Sequence, residues 1–426
     1  MKRVINKMQV TVFILSIFFF IGCASPFSTS KKEAIDNDNK ENIPHIVIHE
    51  FKGDTNKNKN IFVFLDGTEN EPQSYTNIWR LYELITDDNN PQMTAIYIEG
   101  VGSNNEAPVS GAILGRGMEN RMLKGYKFII QNYKPNDNIY IFGFSRGAHQ
   151  ARSLAGFIAY AGIPVISNEN DEDLIKIGND LLDLTKKKKD EDYADKWKLW
   201  KPKQQPLLSK EIKDSLNIKM QTAEINFLGI WDTVPGSSFK TYRDCKEKIG
   251  FLKKNLFWVP VIDKGDRYKS DSYPAIRQIA HAVALDEKRS KFRTLLICKP
   301  INPKYTKLNE VWFPGAHADV GGGYKDFDGN PELDLPGISL NWMIDLLAQS
   351  YKFKIIPKVK ENAKGLAHHS IDDFPANIGS YCEDRILPDR AIIHPSFEDR
   401  KKSSPVPIIK DGKRKFLSYP IKCPIN

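Results

Sequence analysis

Ser145 sits between two glycines in Gly143-Phe144-Ser145-Arg146-Gly147, the pattern G-x-S-x-G. A serine hydroxyl becomes a nucleophile only when a base takes its proton and a third group orients that base. A tight strand-to-helix turn holds such a serine clear of the chain, and flanking glycines let neighbouring backbone pass close and adopt strained dihedrals. The helix that follows points its N-terminal N–H groups at a developing oxyanion. Five residues of this kind recur by chance, so the flanks matter. Ile139–Phe142 is an unbroken apolar run, and Gly147, Ala148, Ala151 and Ala155 are small residues that let the next helix pack close. The alternative is a glycine-rich turn with an inert serine; the flanks favour a nucleophile.

Base and acid are sought downstream, in the order Ser, Asp or Glu, His that accompanies this kind of turn. Asp232 directly follows the apolar run INFLGIW, which places its carboxylate at a strand's C-terminal end, where open α/β sheets carry their sites. His317 lies in WFPGAHADVGGGY, just after a run at Glu310–Phe313. The expected set is therefore Ser145, Asp232 and His317. The other histidines fit less well. His149 lies one turn into the helix after the serine. His281 reads as a structural histidine inside a helix. His368 and His369 fall in a polar loop, and His394 comes late in the chain. Asp286 and Asp319 are rival acids, and Asp319 is only two residues from His317, which suits a shared loop better than orienting the base. An oxyanion hole needs the N–H after the nucleophile, that of Arg146, and another from the loop after an early strand; Gly67 and Thr68 in Leu65-Asp66-Gly67-Thr68 are the candidates. The same FLDGT could suggest a phosphatase of D-x-D-G-T type, but Phe64 stands where its nucleophilic aspartate belongs. Gly321-Gly322-Gly323 lacks the Lys and Ser/Thr of a phosphate loop and reads as a tight turn.

Positioning these residues requires strands that alternate with helices. Strands are predicted at Asn60–Leu65, Thr94–Ile98, Asn138–Phe144, Ile225–Trp231, Arg293–Cys298 and Glu310–Phe313. Helices are predicted at Asn77–Ile85 with Thr76 as N-cap, Met118–Asn132, Gly147–Ala161, Pro274–Leu285 and Ser339–Ser350. Such alternation implies a mostly parallel sheet with helices on both faces. The charged segment 168–217 breaks the rhythm and is expected to form a cap or lid over the site. Trp197 and Trp200 stand there among Lys196, Lys198, Lys201 and Lys203. Two readings are open: an interfacial lid meeting anionic lipid, or tryptophans in the core beneath a solvated lysine face.

The chain starts with Lys2, Arg3 and Lys7, then an apolar run from Val10 to Phe20, then Ile21-Gly22-Cys23. The run is too short for a membrane span of about 20 residues and suits a secretory signal. A cysteine directly at its end is similar to the bacterial lipobox, whose cysteine is lipidated. The expected division is a signal over 1–22, a polar tether over 23–58, with a short strand at His45–His49, and an enzyme domain over 59–426. The expected location is the cell envelope, at the outer membrane in a Gram-negative cell. A formal charge of +9, three of it from the signal, is spread along the chain with no basic stripe, so nucleic acid is not the expected partner. The five cysteines have no C-x-x-C spacing, so neither a metal nor a cofactor is expected, and disulfide pairing is not readable.

Seven blocks form an ordered set: FVFLDGTENEP, TNIWRLYEL, the GVGS at Gly100–Ser103, NDNIYIFGFSRGAHQARSLAGFI, FLGIWDTVPG, HAVALDEKRSKF and VWFPGAHADVGGGY. From about Asn60 to Tyr351 the chain resembles the bacterial and fungal α/β-hydrolase domain family related to type VI secretion phospholipase effectors. The resemblance implies an α/β-hydrolase fold and hydrolysis of carboxylic esters, phospholipids above all. It places the family's serine, aspartate and histidine on Ser145, Asp232 and His317. The competing readings are an esterase on another small acyl ester, and a catalytically silent lipoprotein that binds a partner.

Overall fold

Parallel strands covered on both faces must be apolar along most of their length, and NIFVFL, MTAIYI and NIYIFGF meet that requirement. They form the centre of the sheet in the computed structural model, which describes residues 46–87, 91–102, 111–166, 170–188, 193–234, 272–326, 328–350, 356–372 and 380–423. The strands are β1 (Ile46–His49), β2 (Asn60–Leu65), β3 (Met93–Ile98), β4 (Asn138–Phe144), β5 (Ile163–Pro164), β6 (Met220–Gln221), β7 (Ile225–Trp231), β8 (Gln278–Ala284), β9 (Lys307–Phe313), β10 (Ala367–His368), β11 (Ile392–Ile393), β12 (Val406–Lys410) and β13 (Lys413–Leu417). The helices used below are α1 (Asn77–Thr86), α2 (Gly111–Asn132), α3 (Arg146–Ala161), α4 (Asp171–Lys186), α5 (Ala194–Lys198), α6 (Ser209–Leu216), α7 (His317–Gly321) and α8 (Asp334–Ser350).

The main sheet runs β1-β3-β2-β4-β7-β8-β9-β11, parallel throughout except for the antiparallel edge strand β1. This is the α/β-hydrolase fold. Side chains of one strand alternate between two cores. Ile61, Val63 and Leu65 face α2 and α3. Phe62 and Phe64 face the side of α1 and α8, where Phe62 stacks on Tyr140 at 4.7 Å and Phe64 on Phe142 at 5.1 Å. Thr76 caps α1 as expected, its side chain accepting from Trp79 N–H. Because β1 is paired with β3, residues 46–49 belong to the sheet, and the domain starts before position 59. The signal over 1–22, Cys23 and the tether up to residue 45 lie outside the described residues.

Two element assignments are corrected. Residues 278–284, expected within a helix at Pro274–Leu285, are strand β8, between β7 and β9. Every residue of QIAHAVA is buried, and a short run buried all round cannot be assigned by periodicity. Arg293–Cys298, expected as a strand, joins no sheet. Side chains take its backbone groups instead. Arg152 donates to the carbonyls of Leu295 and Leu296, and Glu310 accepts from Ile297 N–H at 2.7 Å.

The expected cap is also corrected. Helices α4, α5 and α6 pack on the core shared with α2 and α3. Trp197 is 1% exposed and lies 5.0 Å from Tyr160 and 4.9 Å from Tyr273. Trp200 meets Tyr305 at 5.6 Å. Tyr160 ends α3, while Tyr273 and Tyr305 precede β8 and β9, so this contact region lies at the N-terminal edge of the strands. The serine is at the other end of α3, about 24 Å away at 1.5 Å per residue. Burying a large aromatic is worth roughly 1.5–3 kcal/mol, and here the core takes both tryptophans. The lysines at 196, 198, 201 and 203 remain a solvated face.

Candidate active site

Strand register sets the site. Leu65 pairs with Gly143, Phe144 with Trp231, and Ala284 with Phe313. The residues just past these ends, Asp66, Ser145 and Asp232, are therefore neighbours at the C-terminal edge, with His317 four residues beyond β9. Ser145 has φ +56° and ψ −124°, a rare conformation for a side-chain-bearing residue. Its N–H is tied to the carbonyl of Trp231 at 3.0 Å. The flanking glycines are required by space. A Cβ on Gly143 would lie 2.4 Å from the carbonyl oxygen of Gly147, and one on Gly147 would lie 2.2 Å from that of Leu65.

His317 opens α7 and reaches both partners. Its Nε2 is 2.8 Å from Ser145 Oγ, and its Nδ1 is 2.6 Å from Asp232 Oδ2. An ionised carboxylate only accepts, so Nδ1 carries the proton and Nε2 is left to receive one from the serine. The ring lies against Phe144 and edge-on to Phe292, 4.7 and 5.2 Å between centroids. Burial lowers the His317 pKa below 6.5, and the hydrogen bond and charge of Asp232 only partly oppose this. The imidazole is thus neutral at pH 7, as a general base must be. Asp232 is fully buried. Burial pushes its carboxyl up, but the charges and hydrogen bonds of Arg385 and His317 together outweigh burial and hold it well below the usual carboxylate range. Its Oδ1 also accepts from Ala284 N–H at 3.0 Å.

The oxyanion candidates separate. Arg146 is the first residue of α3, where a helix leaves its N–H free. Thr68 has neither a backbone N–H partner nor a partner for its buried Oγ1 among the described residues. Gly67 does not fit its expected role, because its N–H is taken by Asp66 Oδ1 at 2.7 Å. What Gly67 contributes is room: a Cβ there would lie 3.2 Å from Ser145 Cβ and 2.6 Å from Asn70 Nδ2. Asp66 also accepts from Thr76 Oγ1 and Tyr97 OH, at 2.6 and 2.8 Å. Burial raises its carboxyl to about 6 against these hydrogen bonds.

The rival acids do other work. Asp286 holds Gly315 N–H and Tyr419 OH, each at 2.7 Å. Asp319 holds Ala316 N–H and His368 Nδ1 at 2.9 and 2.8 Å. His281, on β8 rather than a helix, pairs with Glu310 at 3.0 Å. Buried Glu287 accepts from Arg289 and from His317 N–H, and its carboxyl is held at about 2; burial opposes this, but Arg289 leads a set of cations that outweighs it. Arg385, 153 residues from Asp232, has no local signal in the sequence; Glu287 lies in the block HAVALDEKRSKF, which gives no cue to its partners. Among the described residues no group of three His, Cys, Asp or Glu is arranged to hold a metal.

Residues 59–346 match the model of the catalytic domain of Tle1-like phospholipase effectors of the type VI secretion system. The chain belongs to this family. An uncharacterized protein of Saccharomyces cerevisiae is 26% identical over 275 residues, covering 59% of this chain and 34% of its own length. The Tle1 effector solved bound to the VgrG spike of the type VI secretion system is 18% identical, with a TM-score of 0.28 over 70% of this chain and 56% of that one. Esterase 2 of Thermogutta terrifontis is 12% identical, with a TM-score of 0.35 over 71% of this chain and 88% of that one. The chain spans about a third of the yeast protein's length and just over half of Tle1's.

Proposed function

We propose that this chain is a serine hydrolase that cleaves carboxylic ester bonds, with phospholipids as its main substrates. Ser145 attacks the acyl carbon, His317 accepts the hydroxyl proton and returns it to the leaving alcohol, and Asp232 fixes the imidazole tautomer. The N–H groups of Arg146 and Thr68 receive the oxyanion. The observation that carries this reading is the unbroken hydrogen-bonded chain Ser145–His317–Asp232, at 2.8 and 2.6 Å, at the C-terminal edge of a parallel sheet. A partner-binding role would need no such chain. Membership of a phospholipase effector family favours lipid over other acyl esters.

The test is labelling of the purified chain with a fluorophosphonate probe, followed by release assays on defined phospholipids. We expect one probe per chain on Ser145 and release of fatty acid. Absence of labelling on a folded protein would exclude a serine hydrolase. Labelling with turnover of short soluble esters alone would assign a small-ester esterase instead.

The same proposal places the enzyme on a bilayer through lipid on Cys23, at the cell envelope. Cys382 and Cys423 form a disulfide, a bond typical of oxidising compartments, which supports export. No helix among the described residues is long and apolar enough to cross a membrane. Mass spectrometry of the cell-derived N-terminus should find acyl chains on Cys23, and Cys23→Ser should release the protein from membranes. An unmodified N-terminus cut elsewhere would overturn the anchor.

A further inference from the structure

We propose that Arg385 is a positioning residue for this site: it clamps the Asp232 carboxylate in the orientation that receives His317, and it comes from a C-terminal strap outside the family's matched segment. The inference rests on the serine-hydrolase reading above. The match ends at residue 346; Ser145, Asp232 and His317 lie inside it and Arg385 does not.

The geometry is fork against fork. Arg385 Nη1 donates to Asp232 Oδ1 at 2.6 Å and Nη2 to Oδ2 at 2.9 Å. The same nitrogens donate to the carbonyls of Ala284 and Phe292 at 2.6 and 2.7 Å. One guanidinium thus joins the end of β8, the loop after it and the acid. The pair is buried, with 8% of the arginine side chain exposed and none of the aspartate's. A planar fork fixes a carboxylate in two dimensions, which an ammonium cannot do.

The strap is itself held. Tyr381 exchanges hydrogen bonds with Ser290, and Glu383 N–H donates to the Lys288 carbonyl at 2.9 Å. Lys288 Nζ meets Asp384 at 2.6 Å. The Cys382–Cys423 disulfide ties the strap to the chain's last described residues. Arg385 therefore reaches Asp232 from a framed segment.

This clamp has an electrostatic consequence. Asp232 Oδ2 is shared between His317 Nδ1 and Arg385 Nη2, so part of its charge is already met before the imidazolium forms. Removing Arg385 leaves the His317–Asp232 pair with a higher proton affinity, whichever member holds the proton. The pair is also faced by Glu287 and Arg289, which neutralise each other and stay in place in the variants. The acid limb of kcat/KM, where the base form is lost as pH falls, therefore moves to higher pH without Arg385.

The experiment compares the full chain with Arg385→Gln, Arg385→Lys, Asp232→Asn and the Asp232→Asn/Arg385→Gln double variant on a soluble acyl ester across pH. Folding is checked by circular dichroism and labelling by fluorophosphonate. Arg385→Gln should lower kcat about 10- to 100-fold, leave KM within about twofold, and raise the acid limb by about one pH unit. Arg385→Lys, which keeps the charge without the fork, should return the limb toward the parent while kcat stays reduced. In the Asp232→Asn background Arg385→Gln should cost less than about threefold, because Arg385 acts through that carboxylate. Should Arg385→Gln fail to fold, the limb and kcat of Arg385→Lys decide. Parental kcat and limb in Arg385→Gln would overturn the inference, as would an undiminished loss in the Asp232→Asn background or parental kcat in Arg385→Lys. A parent chain that neither labels nor hydrolyses esters would overturn the serine-hydrolase reading itself, and this inference with it.

Discussion

Ser145→Ala should lower kcat by about 10⁴-fold or more on any ester the parent cleaves, with the melting temperature almost unchanged. The hydroxyl oxygen is the only heavy atom lost, and the strained φ of +56° at this position is no worse for alanine than for serine. His317→Ala should fall to a similar rate, since Ser145 Oγ then faces no base. The informative measurement is the double variant. Groups that act as one unit are far from additive, so Ser145→Ala/His317→Ala should be no slower than either single variant. Multiplying losses would mean that the two residues contribute independently, and the hydrogen-bonded chain would not be a catalytic relay. A Ser145→Ala protein that keeps parental turnover would remove the nucleophile assignment outright.

Gly147→Ala should damage both the stability and the activity of the site. The added Cβ would lie 2.2 Å from the Leu65 carbonyl oxygen and 2.4 Å from that of Asp66. Both neighbours are backbone, so no rotamer change relieves the contact; the end of β2 and the start of α3 must move apart by about 1 Å. Overpacking of this kind costs about 3 kcal/mol. On the proposed mechanism, a displacement of about 1 Å between the loop after β2 and Ser145 should cost about 10²-fold in rate. The control is Gly178→Ala, in the middle of α4. There the nearest atom is a Leu123 methyl at 3.3 Å, the end of a flexible side chain. Alanine is the better helix former by roughly 0.5–1 kcal/mol, so this variant should melt at or above the parental temperature. Thermal melts of the two variants side by side check the pair. Equal melting temperatures would mean that the elbow tolerates a side chain, and that its glycines are not there for close approach.

The positive φ of Asp232, at +35°, belongs to the same strained edge as the serine. Strain of this kind persists only where the surroundings over-determine it. For Ser145 the surroundings are the Trp231 carbonyl and the two glycines. For Asp232 they are the Ala282 carbonyl at 2.7 Å on its N–H, Ala284 on Oδ1, and the Arg385 fork.

Much of this arrangement is written in local residue patterns. Largely apolar runs bounded by turn residues marked β2, β3, β4 and β7, because a strand covered on both faces has little polar side to show; β9 was marked only at its C-terminal end, Glu310–Phe313, since Lys307–Asn309 are mostly polar and partly exposed. G-x-S-x-G after β4 marked Ser145, since only that spacing suits a serine on a strained turn. Asp232 and His317 were legible because Asp232 directly follows an apolar run and His317 comes four residues after one, so strand direction carries both to one edge. Family membership was legible for the same reason, in blocks that are contiguous in the chain. Other features were decided by contacts between distant segments. QIAHAVA became β8 because a gap between β7 and β9 could take it, not through any periodicity of its own. RTLLIC stayed out of the sheet because Arg152 and Glu310 reached its backbone first. Trp197 and Trp200 turned inward because Tyr160, Tyr273 and Tyr305 offered them a buried surface at the edge away from the serine. Gly67 lost its N–H to Asp66, a side chain one residue away whose rotamer is held by Thr76 and Tyr97. Arg385 reached Asp232 across 153 residues. Backbone periodicity and chain direction are local and can be read along a sequence; which charge meets which carboxylate depends on loops whose course only the folded chain defines.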